Sequence, residues 1–236
     1  MYVVGVVGAL GKMGTQICER LKKQGYHVIE IDPLSPSCKS LCDITQKLDL
    51  VVDFSTPNQS LATLEFCKST STKLIMGTTG QPASFFKKLA QASKSIPILK
   101  CDNFSENVNK FENLARLMSK NFDGDISVVE AHHKHKLDSP SGTANHIIST
   151  MLKENNHFSS TNSSPSHQPN VIKCFSIRGG TLFGRHEVHF LDDDEEIVLT
   201  HTSFSRKPFI NGVIKAVDFM KKKNRAGLYS FDDVIC

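Results

Sequence analysis

Three histidines and two lysines occupy five consecutive positions, His132-His133-Lys134-His135-Lys136, and the segment runs on through Asp138 and Pro140 to Ser141-Gly142-Thr143-Ala144. Histidine exchanges protons near neutral pH, and lysine holds an anionic group or delivers a proton. Ser141-Gly142-Thr143 falls where the next helix is expected to begin, and a helix N-terminus offers backbone N–H groups and hydroxyls to a carboxylate. The whole reads as a receptor for a small anionic substrate with a proton donor beside it. Zinc is a rival claimant for the histidines, but no Cys, His and carboxylate set with recognisable ligand spacing accompanies them, so no metal is expected. A solvated basic loop is the plainer alternative.

A second constellation opens the chain. The apolar run ending at Val7 is followed by Gly8-Ala9-Leu10-Gly11-Lys12-Met13-Gly14 and then by a helical pattern. Glycines at a strand-to-helix turn allow close backbone approach, and the helix N-terminus behind them favours a pyrophosphate. The spacing is GxxGxxG rather than GxGxxG, so strand before and helix after carry the reading. The next strand ends at Asp32, where a ribose-binding carboxylate is expected. A carboxylate there accepts from the ribose hydroxyls of NADH and repels the extra phosphate of NADPH. Lys12 and Lys39 are the cations that could accept that phosphate, and the alternative for Asp32 is a turn cap before Pro33. Three later strands end in Phe54-Ser55-Thr56-Pro57, Gly77-Thr78-Thr79-Gly80 and Cys101-Asp102-Asn103-Phe104, the edge at which open α/β sheets bind ligands. Arg178-Gly179-Gly180 reads as a turn near a ligand or as hairpin punctuation.

The elements that must position these groups alternate over the first hundred residues. Strands are expected at 2–7, 27–31, 50–54, 74–76 and 96–99, with helices at 13–24, 58–69 and 82–93, the rhythm of a doubly wound parallel sheet. A helix over 103–121, a strand over 125–130 and a helix through 153 follow. Residues 154–170, rich in Ser, Asn, Pro and His, are expected to form an exposed mobile loop. Strands at 171–178, 186–191 and 196–203, without helices between them, suggest an open mixed sheet. A last helix, 211–222, is expected to return to the first domain. The fold class is thus α/β: a Rossmann-like dinucleotide-binding domain over 1–104, completed by 211–236, and a second α+β domain over 105–210 for substrate and oligomerisation.

Composition sets the outer limits. With 236 residues the chain can bury its cores without disulfide or metal staples. Its 28 Lys and Arg against 24 Asp and Glu give a net charge of +4, too little to announce nucleic-acid binding yet compatible with anionic small molecules. No apolar run approaches the ~20 residues that span a bilayer, so no membrane partner is expected. The seven cysteines are scattered singly, which suits reduced thiols. With no secretory signal evident at Met1, the expected location is cytoplasmic.

With these pieces in order the chain resembles the 4-hydroxy-tetrahydrodipicolinate reductase (dihydrodipicolinate reductase) family. The resemblance spans GALGKMG, DFSTP at 53–57, GTTG at 77–80, NFSENVN at 103–109, EAHHKHKLDSPSGTA, RGG and the closing GLYSFDDVI. It implies NAD(P)H-dependent reduction of 4-hydroxy-tetrahydrodipicolinate, a cyclic dicarboxylate of the diaminopimelate and lysine pathway, with NADH, NADPH or both as cofactor. It implies His132 as catalytic acid/base and Lys136 as proton donor, with His133, Ser141, Gly142 and Thr143 on the substrate. For the cofactor it implies Gly8, Ala9, Leu10, Gly11, Lys12, Met13, Asp32, Gly77, Thr78, Thr79, Cys101, Asp102, Asn103 and Phe104. It also implies a homo-oligomer, a tetramer by family analogy. Cofactor on one domain and substrate on the other suggest closure over the ligands, with hinges near 103–106 and 209–212. Lys12 and Lys134 stand where the family often has Arg, a departure that bears on NADH against NADPH. Two readings compete: a non-catalytic dinucleotide-binding redox sensor, which has no use for the intact His and Lys segment, and a semialdehyde dehydrogenase, which needs a nucleophilic Cys beside a His.

Overall fold

The computed structural model describes residues 1–161 and 168–235. Two compact units emerge, Met1–Ser105 with Lys207–Cys236 and Glu106–Arg206.

The first unit is built on a parallel sheet of β1 (Val3–Val7), β2 (His27–Ile31), β3 (Leu50–Asp53), β4 (Lys73–Met76), β5 (Pro97–Lys100) and β11 (Gly227–Tyr229), in the order β11-β5-β4-β3-β1-β2. A parallel sheet buried on both faces demands near-continuous apolar strands, and Val-Val-Gly-Val-Val supplies one. Its residues alternate between two cores. Val4, Val6, Leu50, Val52, Ile75 and Leu99 pack with α1 (Gly14–Lys23) and α6 (Lys207–Lys222). Val7, Val51, Leu74, Met76 and Ile98 pack with α2 (Pro57–Ser69) and α3 (Ala83–Ala92). The buried stripe Ile210, Val213, Ile214, Val217 and Met220 has the spacing of a helix with one apolar face. That face returns the C-terminal segment to this core.

In the second unit, β6 (Asp125–His132), β7 (Ser159–Thr161), β8 (Val171–Arg178), β9 (Gly184–Leu191) and β10 (Glu196–Ser203) form a sheet ordered β10-β9-β6-β8-β7. β6 is parallel to β8 and antiparallel to β9, so the sheet is mixed. Ile126, Val128, Ile172, Cys174, Val188 and Phe190 turn one face onto α4 (Glu106–Ser119) and α5 (Gly142–Glu154). On the other face Phe175, Ile177 and Val198 are exposed.

Three expectations change. The loop expected over 154–170 contains β7, which pairs with β8 from Ser159↔Val171 to Thr161↔Lys173; part of that stretch, 162–167, lies outside the described residues. The helix expected from 103 starts at Glu106, because the Asn103 side-chain oxygen accepts from Ser105 N–H and holds a turn there. The last helix begins at Lys207 rather than 211, and β11 with the short α7 (Asp232–Ile235) follows it. No described helix is long and apolar enough to cross a membrane.

Candidate active site

In the first unit the turn after β1 has the geometry that its glycines suggest. Gly8 adopts φ +78°, and a Cβ there would stand 2.5 Å from the Phe54 carbonyl oxygen. Gly14, outside the expected set, is more constrained: a Cβ would lie 2.0 Å from the Gly8 carbonyl oxygen. The turn closes through Gly8 N–H donating to Ile31 O (3.0 Å) and Gly11 N–H to Gly8 O (3.0 Å). Asp32 accepts from Leu10 N–H at 3.2 Å and from Leu34 N–H at 3.1 Å, so its carboxylate stands against the glycine turn and also caps its own. These bonds show the turn-cap reading of Asp32 and leave its carboxylate beside the glycine turn.

Around this turn lies a cavity of about 330 Å³ lined by Gly8, Gly11, Asp32, Lys39, Ser55 and Gln59 among others. Glycine backbone and a carboxylate at the end of the second strand, both lining this cavity, make a donor set that fits a dinucleotide. Lys39, expected only as a cation for the NADPH phosphate, Ser55, expected only as part of a strand tip, and Gln59 also line the cavity. Position at a strand tip was the signal for Ser55; nothing local marked Gln59.

The other strand tips are tied to one another. Buried Asp53 takes three hydrogen bonds on one oxygen, from Ser55 N–H (2.9 Å), Ser55 Oγ (2.5 Å) and Thr78 Oγ1 (3.0 Å). The Thr78 hydroxyl is thus engaged inside the protein, whereas Thr79 is exposed. Gly77 packs so closely on Phe54 that a Cβ would fall 2.3 Å from the ring. Cys101 Sγ donates to Asn103 O at 2.9 Å, Asp102 is exposed and pairs with Lys100, and Phe104 is 2% exposed. The Phe104 ring centroid lies 5.4 Å from those of Phe54, tilted to it, and Phe231, edge-on to it. Its side chain is a core element, which leaves only its backbone for a ligand. Leu10, Gly11 and Lys12 are exposed at the turn, and Ala9 and Met13 turn inward.

In the second unit β6 carries Glu130 and His132 two residues apart, hence on one face. His132 Nδ1 is 2.5 Å from Glu130 Oε2, and Glu130 Oε1 is 2.6 Å from Arg178 Nη2. Glu130 is fully buried and His132 is 8% exposed. Lys136 Nζ pairs with Asp138 Oδ1 at 2.9 Å. Ser141 is the N-cap of α5, accepting from Ala144 N–H at 3.1 Å, and its hydroxyl also meets His186 Nε2 at 3.1 Å. Its side chain, at 2% exposure, is occupied in capping and packing, so a direct hydroxyl contact with substrate is not what this geometry offers. Gly142 stands exposed in the first turn of α5 with no neighbour that a Cβ would meet. His133 Nδ1 is buried with no hydrogen-bond partner among the described residues.

Electrostatics separates the groups. Burial pulls the His132 pKa down, and Lys136 and Arg178 add to this, outweighing the opposite pull of Glu130. For Glu130, burial pushes the pKa up, but hydrogen bonds from Arg178, Ser176 and His132 prevail and the carboxyl ends below its ordinary value. For Asp138, burial again pushes upward and the hydrogen bond from Lys136 reverses it. His186, its ring 5.2 Å from that of His132, is driven down to about 3 by burial and by His132.

The linkage consequence has a definite sign. Between the ordinary histidine value of 6.5 and about 3, the unfolded chain binds a proton at His186 that the folded chain does not. Stability is therefore full above that window and falls as pH falls through it, by about 2 kcal/mol at pH 5. Thermal unfolding at pH 7 and pH 5 checks this: His186→Gln is expected to lose less of its midpoint between the two than the parent chain. Equal losses would refute it.

Glu130, His132 and His186 bring ligand-type atoms within 4.8 Å of one another, a trio that sequence spacing did not show. Both Glu130 oxygens are already bonded, to His132 and to Arg178, and Lys136 and Arg178 add positive charge. The donor set suits a hydrogen-bonded cluster rather than a bound cation.

Comparison with known proteins decides the family. A model of the dihydrodipicolinate reductase N-terminus matches residues 2–104 and one of its C-terminus matches 107–235. The chain belongs to the dihydrodipicolinate reductase family. Among curated relatives, the 4-hydroxy-tetrahydrodipicolinate reductase of Rickettsia bellii (strain OSU 85-389) is 36% identical over 98% of this chain and 93% of its own length. That of Campylobacter jejuni (strain 81116) is 34% identical over 100% and 99%. Among solved structures, a dipicolinate-bound dihydrodipicolinate reductase from Paenisporosarcina sp. TG-14 superposes with a TM-score of 0.79 at 20% identity, covering 98% of this chain and 97% of that one. A probable dehydrogenase from Thermotoga maritima reaches 0.66 at 10% identity, covering 98% and 92%; at these identities the likeness is one of fold. In this dihydrodipicolinate reductase family member the structure gathers His132, Lys136, Ser141 and Gly142 on one side of a single unit. It adds Glu130 and His186, to which the sequence assigns no role, and ties Arg178, open in the sequence between a turn near a ligand and hairpin punctuation, to Glu130. The period-two spacing of Glu130 and His132 was the available signal; Arg178 and His186 reach them only through strand pairing.

Proposed function

We propose that this chain reduces 4-hydroxy-tetrahydrodipicolinate to tetrahydrodipicolinate, consuming one NAD(P)H and one proton and releasing water, in the diaminopimelate and lysine pathway. The observation that carries the reading is the buried Glu130–His132 pair beside Lys136 in a chain that also bears the dinucleotide turn. Gly8, Gly11, Asp32 and the strand tips at Ser55, Gly77–Thr79 and Cys101–Phe104 would hold the cofactor. Bound there, the nicotinamide supplies the hydride that reduces the ring.

The residues of the second unit do the rest. Glu130 accepts at Nδ1 and so places a proton there, leaving His132 Nε2 to exchange one. With its pKa lowered, His132 is neutral near pH 7 and suits a base, while the Lys136 ammonium is the donor that protonates reduced substrate. Exposed Gly142 and half-buried Thr143, in the first turn of the Ser141-capped helix, present the positive end of its dipole to a carboxylate. His133 sits next to the pair and binds substrate. Lys136 holds Asp138 in the free chain, so a substrate carboxylate exchanges one anion for another and leaves no buried cation unpaired.

Asp32 favours NADH, and Lys39 in the same cavity is the cation closest at hand for the NADPH phosphate. The six described cysteines are free thiols, which suits a cytoplasmic protein. The exposed apolar residues Phe175, Ile177 and Val198 suit a homotetramer; light scattering should return four chains, and a monomer mass would refute it.

The test is oxidation of NADH, and separately of NADPH, with substrate made in situ from pyruvate and aspartate semialdehyde by the preceding synthase. Turnover with the parent chain is expected, and Asp32→Ala should raise the NADPH to NADH ratio of kcat/KM about tenfold. Absence of turnover with either cofactor, with both still binding, would move the reading to the non-catalytic sensor.

A further inference from the structure

Glu130 and Arg178 are charged groups that the reaction as described does not consume. One Glu130 oxygen meets His132 Nδ1 at 2.5 Å and the other meets Arg178 Nη2 at 2.6 Å. The same Nη2 donates to the Asp138 carbonyl oxygen at 2.7 Å, and Asp138 holds Lys136 through its carboxylate at 2.9 Å. Arg178 Nη1 donates to Ile177 O at 2.8 Å. One guanidinium therefore reaches the histidine through Glu130 and the lysine through Asp138.

The strands do not need this ion pair to align. β6 and β8 are in register from Ser127↔Lys173 to His132↔Arg178, and Gly179 N–H donates to His132 O at 3.0 Å. A buried ion pair is in general no better for stability than apolar side chains of the same volume. Its presence at the end of this ladder calls for another reason, and both ends of the network point to the same one.

We infer that Arg178 and Glu130 form a buried brace that positions the proton-transfer groups: Glu130 holds the His132 proton on Nδ1 so that Nε2 is the exchanging atom, and Arg178 holds Glu130 together with the backbone that bears Lys136. Both are positioning residues, acting through His132 and Lys136. The inference rests on the roles given to those two residues under the proposed reaction. Arg178, which the sequence left open as a substrate contact, has both terminal nitrogens occupied inside the protein.

The charged and titratable groups that face His132 are Glu130 on its own strand, Arg178 on β8, His186 on β9 and Lys136 on the following segment. Glu130 favours the protonated imidazole and Arg178 opposes it. The two substitutions should therefore act in opposite directions, which a structural role alone would not produce.

The experiment follows the imidazole nitrogens of the full-length chain, labelled with 15N-histidine, against pH, with His132 assigned by the signal that His132→Asn removes. In the parent chain the neutral form is expected to carry its proton on Nδ1. Glu130→Gln should weaken that tautomer preference and move the midpoint to lower pH, and Arg178→Met should move it to higher pH. Should Arg178→Met not fold, the double variant Glu130→Gln/Arg178→Met, which leaves no unpaired buried charge, takes its place. Its midpoint is expected between those of Glu130→Gln and the parent chain. In steady-state assays the folded variants should lose on the order of 10-fold to 100-fold in kcat/KM for the substrate, with the KM for cofactor within about twofold, because the dinucleotide turn lies in the other unit.

Unchanged midpoints, shifts in the same direction, or a double variant that titrates like Glu130→Gln would overturn the brace. Failure of the parent chain to turn over the synthase product would instead overturn the proposed reaction, and the histidine titration would still judge the brace by itself.

Discussion

Lys136→Ala is expected to lower kcat by about 10² to 10⁴-fold at neutral pH, and His132→Ala by a similar factor, the range in which a positioned acid or base contributes. Lys136 is the group with both charge and reach. Its side chain is 22% exposed and its Asp138 partner 57%, so an incoming carboxylate can displace that partner without opening the core. Removing Lys136 removes the proton donor and the cation that offsets charge developing on the ring nitrogen, so kcat should fall as well as kcat/KM. His132→Ala deletes the exchanging nitrogen and also strips buried Glu130 of one of its three side-chain partners, so a loss of thermal stability should accompany it. Steady-state rates, with cofactor affinity measured by fluorescence titration, check both. Parent-like turnover in either variant would remove that residue from the mechanism.

Gly14→Ala should nearly abolish dinucleotide binding, a loss of about a hundredfold or more in affinity, and destabilise the first unit by roughly 3 kcal/mol. The reason is steric and local. A methyl at Gly14 would lie 2.0 Å from Gly8 O, 2.7 Å from Ala9 Cα and 2.8 Å from Ala9 O, all of them backbone that no rotamer change can clear. Helix α1 must then lift from the turn, and the hydrogen bonds from Gly8 N–H to Ile31 O and from Gly11 N–H to Gly8 O lose their geometry. Calorimetric titration with NADH and thermal unfolding report the two effects separately. Gly142→Ala is the natural control for stability, since a Cβ there meets nothing within 4 Å. Parent-like affinity in Gly14→Ala would mean that the turn is not the pyrophosphate site.

Legibility in the sequence follows the range of the interactions. β1 and β3 were readable because a parallel sheet buried on both faces writes itself as short unbroken apolar runs between helical patterns, as in Val3–Val7 and the Leu-Val-Val that opens β3. The dinucleotide turn was readable because its requirement, glycine where backbone meets backbone, is local. Ser159–Thr161 was not readable as a strand: three polar residues show no period, and they are a strand only because the edge of β8 offers them hydrogen-bonding partners. Glu130 was passed over for a related reason. A carboxylate before two histidines has no evident task until Arg178, 48 positions on, closes on it.

What the sequence by itself determined is the order and type of the longer elements, the glycine turn with Asp32 near it, and the cluster of His132, Lys136 and Ser141 before a helix, because all of these depend on residues within one or two turns of chain. Only the tertiary structure decided which of those groups are free to act. It committed the Ser141 hydroxyl to a helix cap and to His186, sent the Phe104 ring into the core, and joined Glu130, His132 and Arg178. A side chain's burial and its hydrogen-bond partners are set by strand neighbours far away in sequence, and the free energy of a proton or a charge depends on both.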